Sequence, residues 1–367
     1  MLQIEIDGWH RLIFIVLFFL VLMVSGCNRG RPAGGSEDGE TIEGLVCGNG
    51  ICESGEDAQS CSNDCCSALY DRHERICLEH GWQKIVVDVE GLPRQLLWKG
   101  PEQSWEKGTI ITLHGGGGTH SNYCSGPSIG EPMEKFSELA IEEGFAIFSL
   151  DSSYGLVTDR EGRSCGKRWD SLYQEHRSNI DLLFIGTVLT KTIPEIRPPN
   201  SSEDIFVTGI SNGGFMTILA AIAFGDEVTA FAPVSAGDPF GTYFDMGTKT
   251  VLERRCAPGV FRDSETHELI NQINACSGAS ITAENELLRR NLEEKPAFKQ
   301  FHHQGDGACN ISCVEKARMT LVEYGYEDDG AFIIENNGRS TVWKHFWMEE
   351  YNQPIIDFFT EYGYEGK

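Results

Sequence analysis

Six residues, Gly209-Ile210-Ser211-Asn212-Gly213-Gly214, stand between Asp204-Ile205-Phe206-Val207-Thr208 and an apolar run over 215–223. The first flank predicts a buried strand and the second a helix. A chain that passes from strand to helix in so few residues must turn sharply, and glycines supply backbone freedom that side chains would deny. Such a turn lifts the Ser211 hydroxyl clear of the backbone at the carboxyl edge of a sheet, accessible for attack. The competing reading is a Gly-Ser turn that simply leads into a buried helix.

Strand patterns recur at 82–89, 95–98, 109–113, 145–150, 205–208, 228–234, 297–301 and 331–335, alternating after the first hairpin with helix-like stretches. That rhythm predicts the α/β class, with a mainly parallel sheet covered by helices on both faces. Ligands of such sheets bind beyond the carboxyl ends of the strands.

The strand at 109–113 runs into His114-Gly115-Gly116-Gly117-Gly118. Backbone N–H groups of Gly115 and Gly116 can approach a reacting carbonyl there, and the Asn212 N–H at the start of the next helix is the matching donor. Together they form a candidate oxyanion hole. The rivals are a flexible glycine loop and a phosphate cradle; no Lys-Ser or Lys-Thr follows, which disfavours a nucleotide-binding loop.

A serine nucleophile needs a base and an acid that orients it; in folds that carry the serine on such a strand-to-helix turn, the chain order is nucleophile, acid, histidine. The strand at 297–301 leads to a turn at Gly305-Asp306, which makes Asp306 the candidate acid, with Asp238 after the strand at 228–234 as its rival. His345 lies on a loop before the last apolar helix pattern, Ile355, Ile356, Phe358 and Phe359, and is the candidate base. His302 and His303 sit too close to the acid turn and read as paired surface or core histidines. Tyr154, Trp169, Trp343 and Trp347 are candidate pocket residues, with core packing as the competing reading.

Leu113-His114-Gly115-Gly116-Gly117, the run from Gly209 to Phe215-Met216, the Gly-Asp turn at Asp306 and His345-Phe346-Trp347 resemble the α/β-hydrolase family of polyhydroxybutyrate depolymerases and feruloyl esterases, over roughly residues 80 to 365. The resemblance implies the α/β-hydrolase fold and a secreted serine esterase that needs no cofactor. Its substrate would be a feruloyl or acetyl ester of plant polysaccharide or a short polyester. A serine peptidase and a non-catalytic surface binding protein on the same scaffold are the alternatives. Two departures stand out. The stretch between Ser211 and Asp306 is longer than the family's, which suggests a lid over 240–295, and His303-Gln304-Gly305-Asp306 replaces the usual His-Gly-x-x-Asp.

The amino terminus bears on location. An apolar run over 12–24 follows Arg11, and Val24-Ser25-Gly26-Cys27 resembles a bacterial lipobox, making Cys27 the lipidation site and residues 1–27 a lipoprotein signal peptide; an uncleaved anchor is the alternative. The expectation is an exported bacterial lipoprotein at the outer membrane or cell surface, held to the membrane by its lipid. Residues 28–45 read as a flexible linker. With Cys27 set aside, the 13 cysteines leave twelve for disulfides in an oxidising compartment, and Cys66 with Cys77 is a candidate staple for the main domain. Residues 46–66 form a small cysteine-rich acidic module. Its Glu53, Glu56, Asp57 and Asp64 are candidate calcium ligands, against the simpler reading of a disulfide knot with a solvated acidic face. Residues 67–367 form the catalytic domain. A net charge of −25 disfavours nucleic acid as a partner.

Overall fold

The computed structural model describes residues 71–125, 130–157, 166–171, 179–237 and 295–363, with short pieces at 243–245, 250–252, 261–262 and 269–270. The expected signal peptide with Cys27, the expected linker and acidic module with Glu53, Glu56, Asp57 and Asp64, the rival acid Asp238, the Tyr154 side chain and most of 240–295 lie outside the described residues. Among the described residues no helix is long and apolar enough to cross a membrane.

In chain order the strands are β1 (Gln83–Val89), β2 (Leu92–Lys99), β3 (Gly108–Leu113), β4 (Phe145–Leu150), β5 (Ser153–Val157), β6 (Gly166–Arg168), β7 (Ile205–Ile210), β8 (Ala230–Val234), β9 (Tyr243–Asp245), β10 (Thr250–Leu252), β11 (Phe261–Arg262), β12 (Leu269–Ile270), β13 (Ala297–His303) and β14 (Asp328–Ile334). The helices of eight or more residues among the described residues are α1 (Asp71–Glu79), α2 (Glu131–Glu142), α3 (Ile180–Thr187), α4 (Asn212–Ala223), α5 (Ile311–Glu323) and α6 (Asn352–Tyr362). The chain divides into two compact units. One comprises Met1–Leu69 and Ser153–Arg168, of which the described part is the antiparallel pair β5 and β6. The other comprises Tyr70–Ser152 and Trp169–Lys367 and holds the main sheet.

That sheet has eight strands in the order β1-β2-β4-β3-β7-β8-β13-β14. Only β2 runs against the rest: it pairs antiparallel with both β1 and β4, and every other pairing is parallel. The central strands β3, β4, β7 and β8 are buried along their whole length, as continuous runs of apolar residues require when both faces are covered. Alternate residues serve opposite cores. Ile111, Leu113, Phe148 and Leu150 join α3 and α4 on one face, while Ile110, Phe145 and Ile147 join α2 and α6 on the other. This strand order, with a reversed second strand and helices on both faces, is the α/β-hydrolase fold.

From β3 the chain moves outward to β4, and from there it crosses to the other side of β3 to form β7. Connections leaving β3 and β7 therefore diverge, and a crevice opens between them at the carboxyl edge.

One disulfide corrects the sequence expectation. Cys77 at the end of α1 pairs with Cys124 and not with Cys66, because α1 lies against the 3-10 turn His120–Tyr123, bringing the two Cα atoms to 5.3 Å. Cys313 on α5 is also disulfide-bonded, whereas Cys309 is a buried thiol. Closing a loop of sequence separation 47 restricts the unfolded chain by about 4 kcal/mol on chain-entropy grounds. Replacing Cys77 and Cys124 by Ala together is predicted to lower unfolding free energy by about 2–4 kcal/mol, read as a shift of the urea midpoint under non-reducing conditions.

Candidate active site

The site begins at the register of β3 with β7, in which Leu113 lies opposite Gly209. This pairing sets the glycine loop that follows β3 beside the turn that follows β7. Ser211 occupies that turn with φ 54° and ψ −118°, a backbone conformation that L residues rarely adopt. The surroundings hold it there. Ser211 N–H donates to Val234 O at 2.9 Å, and Ser211 O accepts from Phe215 N–H at 2.9 Å as α4 begins.

The neighbouring glycines are required by space as well as by conformation. A Cβ on Gly213 would stand 2.2 Å from Leu113 O and 2.4 Å from His114 O, and one on Gly209 would stand 2.6 Å from Leu113 O. These are backbone atoms of the sheet and cannot move aside. The Ser211 hydroxyl thus stands above the sheet with the amino end of α4 beneath it, where the helix field favours negative charge.

Three side chains from distant parts of the chain meet at this edge. His345 Nε2 lies 2.7 Å from Ser211 Oγ, and His345 Nδ1 lies 2.7 Å from Asp306 Oδ2. The second oxygen, Asp306 Oδ1, accepts from the N–H groups of Ala308 and Cys309 at 2.7 and 2.9 Å. An acceptor on Nδ1 puts the ring proton there and leaves Nε2 free to take the proton of the serine. Asp306 and His345 are both buried, so water does not screen their contact. The departure at His303-Gln304-Gly305-Asp306 leaves the acid in reach because Asp306 is bridged to Thr341, just before the 3-10 turn Val342–His345 that carries the base.

Behind the acid stands a second histidine. His302 is fully buried, with Nδ1 3.8 Å from Asp306 Oδ2 and no hydrogen-bond partner on either ring nitrogen. Burial pushes its pKa down to about 4, although the Asp306 charge pulls the other way. His303 is buried too, and its Nδ1 accepts from Gly305 N–H at 2.8 Å. Both are core histidines, as one of the two sequence readings had it.

On the opposite wall, a Cβ on Gly115 would lie 3.7 Å from the Cβ of Ser211, and one on Gly116 would lie 3.7 Å from the Cβ of Asn212. The loop therefore rests against Ser211 and Asn212. His114 is buried; its Nε2 accepts from Ser152 N–H at 3.2 Å, which places the ring proton on Nδ1, where it bonds Gly115 O at 2.8 Å. The Asn212 side chain turns away from the crevice and bonds Trp169 and Ser171.

The candidate pocket aromatics part company. Trp169 is buried; its ring lies against His114 and its Nε1 donates to His114 O. Trp347 is buried among Tyr123 and Phe136, with Nε1 bonded to Asn352 Oδ1 at 2.7 Å. Both rings are buried, and their ring nitrogens find internal acceptors. Trp343, two residues before the base, is 42% exposed and leans on Phe346.

Sequence reading missed a buried polar cluster behind the glycine loop. Asp151, just after β4, accepts from His120 N–H at 3.3 Å; His120 Nε2 meets Glu74 Oε2 at 3.1 Å. Arg94 bonds Asp151 O and pairs with Asp181 at 2.5 Å, and Asp181 also accepts from Asp170 N–H. The available signal was Asp181, an acid opening an otherwise apolar helix, Ile180-Asp181-Leu182-Leu183-Phe184. Among the described residues no group of three or more His, Cys, Asp or Glu is arranged to hold a metal ion.

The fold and this constellation define the class: an α/β-hydrolase scaffold with a serine, a histidine and an aspartate in hydrogen-bonded series at the carboxyl edge of its sheet. No protein-family model and no curated protein sequence matches the chain. Among solved structures it is similar to a thermostable esterase, at 14% identity and TM-score 0.47, over 77% of this chain and 63% of that one. The chain thus spans less than two thirds of that esterase. It is also similar to SOBER1 of Arabidopsis thaliana, at 15% identity and TM-score 0.42 over 69% and 98% of the two chains. A third is an acylaminoacyl peptidase of Pyrococcus horikoshii, at 15% identity and TM-score 0.44 over 76% and 41%.

The depressed pKa of His302 gives a pH test. Unfolded, the imidazole binds a proton near its ordinary pKa of 6.5; folded, it does so only at about 4. The unfolded chain holds more protons between those values, so stability is full above pH 6.5 and falls toward pH 4, by about 3 kcal/mol. His302→Leu is predicted to flatten the decline in urea midpoint between pH 7 and 4.5.

Proposed function

We propose that this chain is a serine hydrolase that cleaves carboxylic esters through an acyl-enzyme. The observation that carries the reading is the unbroken series Ser211 Oγ, His345 Nε2, His345 Nδ1, Asp306 Oδ2, with 2.7 Å at both contacts. In the proposed reaction His345 takes the hydroxyl proton as Ser211 Oγ bonds to the ester carbon, and the carbonyl π pair becomes an oxyanion facing the amides of Gly115, Gly116 and Asn212. The protonated imidazole then passes its proton to the departing alkoxide, which leaves as the alcohol. Water, deprotonated by His345, repeats the sequence and releases the acid. Asp306 keeps its hydrogen bond with Nδ1 and stabilises the imidazolium.

The finer reading is a lipid-anchored enzyme outside the cytoplasm. Its substrate would be a feruloyl or acetyl ester of plant polysaccharide or a short polyester, with Trp343 as the exposed aromatic beside the base. The Cys77–Cys124 disulfide supports an oxidising compartment. Attachment through Cys27 predicts that Cys27→Ala moves the protein from the membrane pellet to the soluble fraction and abolishes incorporation of an alkynyl fatty acid.

The decisive assay compares protein lacking residues 1–27 with Ser211→Ala and Asp306→Asn on p-nitrophenyl acetate, methyl ferulate, a polyhydroxybutyrate film and peptide anilides. Ser211→Ala is predicted to lose about 10³- to 10⁶-fold in kcat and Asp306→Asn about 10³- to 10⁴-fold, each with little change in KM. Equal ester turnover by parent and Ser211→Ala sinks the proposal, and turnover confined to the anilides replaces it with a peptidase.

A further inference from the structure

The oxyanion donors come from two segments with no covalent link at the site: the loop after β3 and the amino end of α4. Their separation must be held by something else. Trp169 is bonded to both. Its indole Nε1–H donates to His114 O at 2.9 Å, and its ring lies 5.2 Å from the His114 ring, centroid to centroid. On the other side, its backbone N–H donates to Asn212 Oδ1 at 2.6 Å while its carbonyl accepts from Asn212 Nδ2 at 3.2 Å, a two-point clamp on one side-chain amide. The same Nδ2 reaches Ser171 Oγ at 2.8 Å. Trp169, His114 and Asn212 are all more than nine-tenths buried.

These bonds fix directions as well as distances. The described peptide bonds are trans, so each N–H points opposite to the carbonyl of the same peptide unit. Trp169 holds His114 O and thereby aims the N–H of Gly115. His114 Nδ1–H, with Gly118 N–H at 3.0 Å, holds Gly115 O and thereby aims the N–H of Gly116. At the other wall the Asn212 clamp fixes the residue whose own N–H is the third donor.

Resting on the serine-hydrolase reading, we propose that Trp169 is a positioning residue for the oxyanion hole, tying the glycine loop to the start of α4 so that donors on both meet one oxygen. It touches no reacting atom. Its work is to keep the donors where negative charge develops, so its loss weakens the transition state more than the bound ester.

Trp169→Phe tests this, because it keeps an aromatic ring in the same place and removes the bond to His114 O. Trp105→Phe is the control: Trp105 is equally buried in the same core, at the amino end of β3, and its Nε1 has no hydrogen-bond partner. Active sites are counted by titration with a fluorophosphonate, so that a misfolded fraction does not enter kcat. Trp169→Phe is expected to lower kcat on p-nitrophenyl acetate about 10- to 100-fold with KM within about twofold, less than the loss of a whole donor. Its Ki for an aryl trifluoromethyl ketone, whose adduct with Ser211 carries the same oxyanion, should rise by the same factor. Trp105→Phe should leave both unchanged. Amide exchange at residues 114–118 and 212 should quicken in Trp169→Phe alone. A Trp169→Phe variant that matches Trp105→Phe in kcat and Ki overturns the inference while the parent enzyme is active. If the parent has no activity, the serine-hydrolase reading has failed instead, and unchanged amide exchange overturns the positioning role on its own.

Discussion

Everything at the carboxyl edge depends on the turn at Ser211 being closed against β3. The backbone there adopts a conformation that typically costs about 1–3 kcal/mol, and it persists because neighbouring atoms leave it no alternative. Carbonyls of Leu113 and His114 occupy the volume a side chain at Gly213 would need, and Val234 O takes the Ser211 N–H. The parallel register of β3 with β7 therefore does two things at once. It forces the hydroxyl outward, and it presents the glycine loop to it.

Behind that loop lies a polar interior that a purely apolar core could not replace. Burial alone would raise the Glu74 pKa, but hydrogen bonds from His120 and Lys84 outweigh it and hold the carboxylate near 2. Asp151 receives His120, and Arg94 spans from Asp151 O to Asp181 while its guanidinium lies 4.5 Å from the Phe184 ring. Buried ion pairs add little net stability once desolvation is counted. What they add here is direction. They tie α1, β2, the end of β4 and the start of α3 to the chain around His114 and His120, and the Cys77–Cys124 bridge closes the same corner covalently.

Much of this was readable from residue pattern. The strands were legible because β3, β4, β7 and β8 are buried on both faces and so are written as unbroken apolar runs. The turns at Ser211, Asp306 and His345 follow from strand ends, and their convergence is a property of chain order in a parallel sheet. Strand order itself was not legible, since nothing local in β4 says that it inserts between β2 and β3. The placement of the tryptophans was not legible for a different reason. An indole pairs an apolar body with one donor, and the sequence does not show that Trp169 and Trp347 have acceptors inside while Trp343 faces out. The Cys77 bridge and the Arg94–Asp181 pair were hidden because they join segments 47 and 87 residues apart.

Sequence distance within the triad has its own consequence. The serine and histidine are 134 residues apart, and the aspartate lies 39 residues before the histidine. During synthesis from the amino end, the turn at Ser211 and the glycine loop emerge long before the imidazole that meets the hydroxyl. A copy terminated before residue 345 therefore holds the strained serine turn without the imidazole that meets its hydroxyl.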